Sequence, residues 1–146
     1  MSKWADFDKM YNEGIKIEKL AKPIIEEFFN EKLTHMITSR YCYYDFINPI
    51  TKVKYEIKSF NCFYNSFSNI ILPKEKIDRI NLFDEFIFIL VFKNNKNDPS
   101  MYCYYFIKYD PLIFANFEIA ETYIKSRNHR HLNYFVPKKY ITKIKD

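Results

Sequence analysis

The sequence predicts an α/β protein, in the α+β sense of a mixed sheet flanked by helices. The first observation is a helical period near the N-terminus, and the second is a series of strand-length apolar segments separated by turn residues. The third is that the 146 residues contain no internal repeat, low-complexity tract or linker. We therefore expect a single domain over residues 1–146.

Composition limits the classes of function. Hydrophobic residues make up 48% of the chain and charged residues 28%, a balance typical of globular domains and not of disordered ones. Gly14 is the one glycine in the chain. Loops that hold phosphate through several glycines, as in Walker-type NTPases and dinucleotide-binding proteins, are therefore excluded.

Apolar runs and cysteine spacing predict an intracellular, cytoplasmic protein. The longest apolar run, residues 86–92, is far shorter than the roughly 20 residues that cross a bilayer, and we expect neither a membrane partner nor export. The three cysteines have no CxxC spacing, which favours free thiols in a reducing compartment. Lysine outnumbers arginine 19 to 4, a bias typical of AT-rich coding, and a viral source would make the compartment the host cytoplasm.

The periodicity predicts elements in the order α, β, β, β, α, β, β, α. Residues 6–39 have a helical pattern, in which Gly14 and Pro23 are expected to mark a break and the start of a second helix. Strand patterns at 40–47 and 53–59, joined by a turn-rich link, predict an antiparallel hairpin. The remaining predictions are strands at 67–72, 85–93 and 101–109, a short helix at 73–81 and a long helix at 116–127.

An acidic residue lies on the apolar stripe of the N-terminal helical segment. With about 100° between residues, one arc holds Ile17, Leu20, Ala21, Ile24 and Phe28. Glu31 falls inside this arc, whereas Glu26 points away from it. Because an unpaired carboxylate is costly on a core-facing stripe, we expect Glu31 to have a partner.

The predicted hairpin brings two acids and a lysine together. With a four-residue loop at 49–52, residue 48 pairs with residue 53, and Asp45 lies directly opposite Glu56. Because side chains alternate along a strand, Lys58 shares a face with Glu56. Like charges across a strand pair repel, so a bound cation would stabilise this arrangement, and hard oxygen ligands suit Mg²⁺ or Mn²⁺. The acid-x-Lys triplet at 56–58 occurs once in the chain.

These residues resemble the motif of the PD-(D/E)xK nuclease superfamily, the restriction-endonuclease-like fold. The family pattern is an acid in a first helix, an aspartate on one strand and an acid-x-Lys triplet on the next strand. Here these would be Glu31, with Glu27 as second choice, then Asp45, and Glu56 with Lys58. The resemblance covers residues 17–93, the family's αβββαβ core, and leaves 94–146 as an elaboration with a C-terminal helix and a basic extension. Tyr44 stands where the family often has proline.

The resemblance implies a divalent-metal-dependent nuclease, most simply a DNA endonuclease that leaves a 5′ phosphate. Asp45, Glu56 and the backbone carbonyl of Ile57 would hold one Mg²⁺ or Mn²⁺ against the scissile phosphate. Lys58 would orient the attacking water and accept a proton or stabilise charge on phosphorus. Glu31 would bind a second ion or a water of the first.

Other interpretations stay open from the sequence. Asp45 and Glu56 could face solvent, with Lys58 neutralising them in a surface ion pair worth at most about 1 kcal/mol. The domain could be a non-catalytic module that binds nucleic acid or protein, and a Holliday junction resolvase would share the same site. His35 is expected at a helix end or core edge, with support of the ion as the alternative.

The excess positive charge lies near the C-terminus. Residues 122–146 contain seven basic residues and one acid, with aromatic residues between them, a composition that suits contact with a polyanion. A solvated tail is the alternative. The residues expected to bind nucleic acid are Lys125, Arg127, Arg130, Lys138 and Lys139. Because one such site cuts one strand, symmetric cutting of a duplex would need a homodimer.

Overall fold

The computed structural model describes residues 3–36, 42–94, 101–124 and 129–145. Helices are α1 (Lys3–Phe29), α2 (Lys74–Asp78) and α3 (Pro111–Phe114), with single 3₁₀ turns at Tyr64–Ser66 and Lys138–Tyr140. Strands are β1 (Thr34–His35), β2 (Phe46–Ile47), β3 (Lys54–Phe63), β4 (Asn69–Pro73), β5 (Phe86–Lys93), β6 (Tyr102–Lys108), β7 (Glu118–Ile124), β8 (His129–Pro137) and β9 (Thr142–Lys145). Within these residues, no helix is long and apolar enough to span a membrane.

The described strands form two sheets. The first has the order β1-β2-β3-β5-β6-β9, in which β3 and β5 run parallel and the other neighbours are antiparallel. The second has the order β4-β8-β7 and is antiparallel throughout. The predicted α+β class with a mixed sheet is confirmed, but the strand predicted at 67–72 belongs to the second sheet.

β5 is the centre of the hydrophobic core because both of its faces are covered. Every residue from Phe86 to Phe92 is buried, as expected for an unbroken apolar strand. Its odd-numbered residues pack with Ala21 and Ile25 of α1, and its even-numbered residues pack with residues of the second sheet such as Leu72 and Val136. The layers are therefore a helix, the six-stranded sheet and the three-stranded sheet.

The N-terminal helix differs from the prediction in two respects. It continues through Gly14 and Pro23 without a break, because packing of Ala21 and Ile25 against the sheet favours one helix. It also ends at Phe29 instead of Ser39. Asn30 has a φ of 54°, the left-handed conformation that commonly ends helices, and the Glu31 N–H donates to the Glu26 carbonyl at 3.1 Å, as in a Schellman motif.

The long C-terminal helix predicted at 116–127 is wrong. Residues 118–124 form β7, which pairs with β8 from Glu118 opposite Phe135 to Ile124 opposite His129. Residues 118–124 (EIAETYI) include β-branched and aromatic residues that are common in strands, and pairing with a distant strand decides between the two structures. Residues 125–128 lie outside the described part of the chain.

Candidate active site

The hairpin between β2 and β3 positions Asp45 beside Glu56. Phe46 pairs with Tyr55 and Ile47 with Lys54, the register that the four-residue loop predicts. The Asn48 side-chain oxygen shapes the loop by accepting hydrogen bonds from the N–H groups of Ile50 and Thr51. The predicted strand at 40–47 is shorter, since β2 holds two residues and 37–41 lie outside the described residues.

Asp45 immediately precedes β2, at the point beyond which no described strand pairs with this edge of β3. Its backbone N–H donates to the Tyr55 carbonyl at 2.9 Å, and its side-chain Oδ2 accepts a hydrogen bond from the Ile57 N–H at 2.7 Å. The N–H and C=O groups of one strand residue point to the same edge. The Ile57 carbonyl therefore points to the edge on which the Asp45 carboxyl lies.

Glu56 is a buried acid on the face of β3 that points to the second sheet. Only 5% of the residue is exposed, and the Lys76 ammonium of α2 donates to its Oε1. Burial, followed by the charge of Asp45, raises the pKa of Glu56 to about 7, although Lys76 opposes the shift. Glu56 is therefore not the solvent-facing acid of a surface ion pair.

A third carboxyl group belongs to α1. Burial raises the pKa of Asp45 to about 8, and Glu18 adds to the shift through a hydrogen bond and through its charge. Glu18 also lies 3.6 Å from His35, between Oε2 and Nε2. Burial lowers the pKa of that imidazole. The site thus concentrates acids in a poorly solvated place, which favours either protonation or a bound cation.

Lys58 supplies an amine beside these acids. Its side chain is half-buried on the same face of β3 as Glu56. Burial and the neighbouring Lys76 lower the pKa of Lys58, and Glu56 opposes them. Within the described part of the chain, the Lys58 ammonium forms no hydrogen bond or ion pair, so its donors are available to a ligand.

Glu31 does not join this group. It lies beyond the end of α1, where its carboxylate accepts a hydrogen bond from the Tyr55 hydroxyl. Burial and Glu31 raise the pKa of Tyr55. Tyr55 and Glu56 are adjacent in β3 and point to opposite faces of the sheet. The expected partner of Glu31 therefore exists, but it lies on the α1 side. Glu27, the second choice, is exposed.

Glu18 is the acid that sequence reasoning missed. The predicted arc was rotated, because Leu20 and Phe28 are 43% and 46% exposed whereas Ala21 and Ile25 are fully buried. Glu18 precedes these two residues by three and seven positions, the spacing of one helical stripe. A stripe centred on Ala21 and Ile25 would have identified it.

The residues predicted to bind nucleic acid are spread over the C-terminal segment. Lys125 and Arg127 lie outside the described residues, and Arg130 lies in β8 opposite Tyr123. The Lys138 ammonium donates to the Tyr64 carbonyl at 2.7 Å and lies 4.3 Å from the centre of the Tyr64 ring. Lys138 therefore also has a structural contact. Lys139 is exposed.

The donor set can be compared with the needs of a divalent ion. No group of three or more His, Cys, Asp or Glu side chains among the described residues has the geometry to hold a metal. Mg²⁺ often uses one or two carboxylates, with water and substrate phosphate completing its shell. Asp45, Glu56 and the Ile57 carbonyl fit that smaller requirement, since all three supply hard oxygen atoms, Asp45 and Ile57 at one edge of β3 and Glu56 from the adjacent face.

Comparisons with protein-family models, with curated proteins and with solved structures found no match for this chain. The geometry of the site is therefore the basis for a functional proposal. Its central features are the half-buried acid Asp45, the buried acid Glu56 and the half-buried amine of Lys58.

Proposed function

We propose that the protein is a divalent-metal-dependent nuclease that hydrolyses phosphodiester bonds of nucleic acid, with DNA as the expected substrate. The observation that carries the proposal is that two neighbouring acids, half-buried Asp45 and buried Glu56, lie near the half-buried amine of Lys58, which has no partner among the described residues. Neighbouring ionisable groups with strongly shifted pKa values are typical of reactive sites. A purely structural cluster would pair Lys58 with an acid.

Asp45, Glu56 and the Ile57 carbonyl are the proposed ligands of Mg²⁺ or Mn²⁺. The ion would act as a Lewis acid on the scissile phosphate and lower the pKa of a bound water. The hydrogen bond from the Ile57 N–H fixes the Asp45 carboxyl at the open edge of β3. Glu18, in contact with Asp45, would orient that carboxyl further, which is the role that second acids have around metal ligands.

Lys58 would act on the attacking water. Its lowered pKa increases the share of neutral amine, which can accept a proton while a water oxygen forms its bond to phosphorus. The bond from phosphorus to the leaving O3′ oxygen then breaks, and a 5′ phosphate remains. In its charged form, Lys58 would instead stabilise the negative charge that develops on the phosphoryl oxygens.

The order of the elements also supports the proposal. A helix, a hairpin carrying Asp45 and Glu56, the short helix α2 and the buried strand β5 follow one another as the resemblance to PD-(D/E)xK nucleases implies. Two features depart from that pattern. The helix acid would be Glu18 in place of Glu31, and β4 pairs with the second sheet.

The test is a cleavage assay on supercoiled plasmid, single-stranded DNA, RNA and a four-way junction, with Mg²⁺, Mn²⁺ or EDTA. Lys58→Met is the informative variant, and Lys16→Met, on the exposed surface of α1, is its matched control. We expect ion-dependent cleavage that Lys58→Met removes and Lys16→Met retains. Cleavage that persists in EDTA, or that Lys58→Met retains, would contradict the proposal.

A non-catalytic binding module is the second candidate, and one observation favours it. The Lys76 ammonium already neutralises Glu56, so the acids have a cation of their own. In that case Lys58→Met leaves every activity unchanged, and binding depends on salt and on exposed cations such as Lys139. A filter-binding titration at several salt concentrations, with Lys139→Gln beside the parent, separates this candidate from the nuclease.

A further inference from the structure

A cavity adjoins Lys58 between the two sheets. It has a volume of about 310 Å³ and lies between β3 and β4, with Asn133 of β8 at its wall. This volume is at the lower end of the roughly 300–1,000 Å³ of small-molecule sites, so the cavity suits one small group. Lys58 lies two residues from Glu56 along β3, about 7 Å away, so the cavity begins where the proposed site ends.

The apolar walls of the cavity are aromatic and held in place by other rings. The Phe60 ring stacks on Phe92 with 4.5 Å between centroids, and the Tyr64 ring stacks on Tyr105 at 3.8 Å. In contrast, Phe67 is 63% exposed and stacks on no other ring of the described residues, so its ring is available for stacking. An exposed aromatic ring favours a planar ligand, because stacking requires that the ligand present a ring of its own to the Phe67 ring.

Lys58 is the one charged residue among those that line the cavity, and three of the uncharged polar residues are amides. Asn61, Asn69 and Asn133 line the cavity. Asn133 is 5% exposed, and its amide nitrogen donates to Thr122 Oγ1 at 2.6 Å. Its Oδ1 accepts no hydrogen bond from the described residues. Because no buried polar side-chain atom of these residues lacks a partner, this oxygen must be accessible, and it can accept a hydrogen bond from a ligand. Amides match the edges of nucleobases, which carry both donors and acceptors.

We propose that this cavity binds an unstacked nucleobase of the strand whose phosphate lies at Asp45, Glu56 and Lys58. The inference depends on the proposed nuclease function and narrows its substrate to a single-stranded or extruded nucleotide. An intact duplex cannot supply such a base without unpairing it. Lys58 lies between the cavity and the proposed metal site, where it can contact the phosphate of the nucleotide whose base occupies the cavity.

Cys62 reports on the cavity in the unmodified protein. It lines the cavity, whereas Cys42 and Cys103 do not, and all three thiols are free. The probes are the four deoxynucleoside 5′-monophosphates, with deoxyribose 5-phosphate as the control without a base, all in EDTA. At ten times Kd we expect roughly tenfold slower iodoacetamide alkylation of Cys62 by mass action, and an unchanged rate at Cys103. Equal protection by deoxyribose 5-phosphate, or none by the nucleotides, overturns the proposal.

Phe67→Ala tests the stacking directly, and Phe83→Ala, 94% exposed and outside the cavity, is its matched control. Loss of one stacked ring is expected to weaken nucleotide binding roughly five- to hundredfold, with no change in the control. Protection of Cys62 without any Mg²⁺-dependent cleavage would refute the nuclease and leave the nucleotide site. Cleavage without protection would refute the nucleotide site and leave the nuclease.

Discussion

Replacing Glu56 with glutamine is expected to stabilise the metal-free protein at alkaline pH. Burial beside Asp45 raises the pKa of Glu56 from 4.5 to about 7, so the folded state favours the protonated acid. The contribution of Glu56 to folding stability is therefore fully present below its ordinary pKa of about 4.5, and it is lost as the pH rises from about 4.5 to 7. Glutamine has the same shape and no charge to lose, so this loss is absent in the variant.

The size of the effect follows from the shift. With 1.36 kcal/mol per pKa unit, ionisation of Glu56 costs about 1 kcal/mol of folding free energy at pH 5 and about 3 kcal/mol at pH 8. The benefit of Glu56→Gln should therefore grow by about 2 to 3 kcal/mol between these values, which is about 5–10 °C in Tm for a domain of this size. Because the charges of Asp45 and Glu56 repel each other, removing the Glu56 charge also eases ionisation of Asp45, which acts in the same direction.

The assay is thermal and urea unfolding in EDTA at pH 5 and pH 8, followed by circular dichroism. Glu75→Gln on α2 is the matched control, because Glu75 is exposed and, among the described residues, pairs only with Arg79, which directly follows the helix. It should show no difference between the two pH values. If Glu56→Gln changes stability equally at both pH values, the Glu56 carboxyl is not buried beside a second acid, and the placement of Glu56 next to Asp45 is wrong.

Four further outcomes are expected. Mg²⁺ at about 100 times its Kd should stabilise the parent by about 2.7 kcal/mol in a thermal melt, and Asp45→Asn should abolish the effect. Lys58→Met should remove cleavage and raise Tm at pH 7, because burial penalises the charged amine; a lower Tm would contradict this. Glu18→Gln should reduce ion-dependent cleavage about 10- to 100-fold while Glu31→Gln leaves it unchanged, and the opposite ranking would restore Glu31 as the helix acid. Asn30→Ala should destabilise the fold by about 1 kcal/mol in urea titrations, with Asn30→Gly showing no loss.

Local signals in the sequence were sufficient for the hairpin and for β5. The loop at 49–52 fixes the register, because Asn48 and its neighbours form a turn that needs no distant partner. β5 follows from its unbroken apolar run. Both predictions depend on contacts close in sequence or on composition alone, and the positions of Asp45 and Glu56 follow from them.

The remaining site residues depend on contacts between distant segments. Glu18 reaches Asp45 because Ala21 and Ile25 decide which face of α1 meets the sheet. Periodicity alone did not determine the centre of the buried face to within one residue position. Lys76 reaches Glu56 because β4 joins the second sheet and carries α2 across the face of β3. The second sheet itself requires β7 and β8 to pair, and neither segment specifies that pairing alone.

The Lys76 contact connects the stability of the fold to the proposed chemistry. Glu56 and Asp45 must lose their protons before they can bind a divalent ion, and their pKa values near 7 and 8 place that loss in the neutral range. Rising pH is therefore expected to weaken the metal-free fold and would strengthen the proposed ion binding through the same two groups. Lys76 stabilises the ionised form of Glu56 without an ion, so a bound cation must share or displace it. Its side chain, 47% exposed, can turn away from Glu56 toward a phosphate of the substrate. Lys76 would then neutralise the empty site and bind substrate in the filled one.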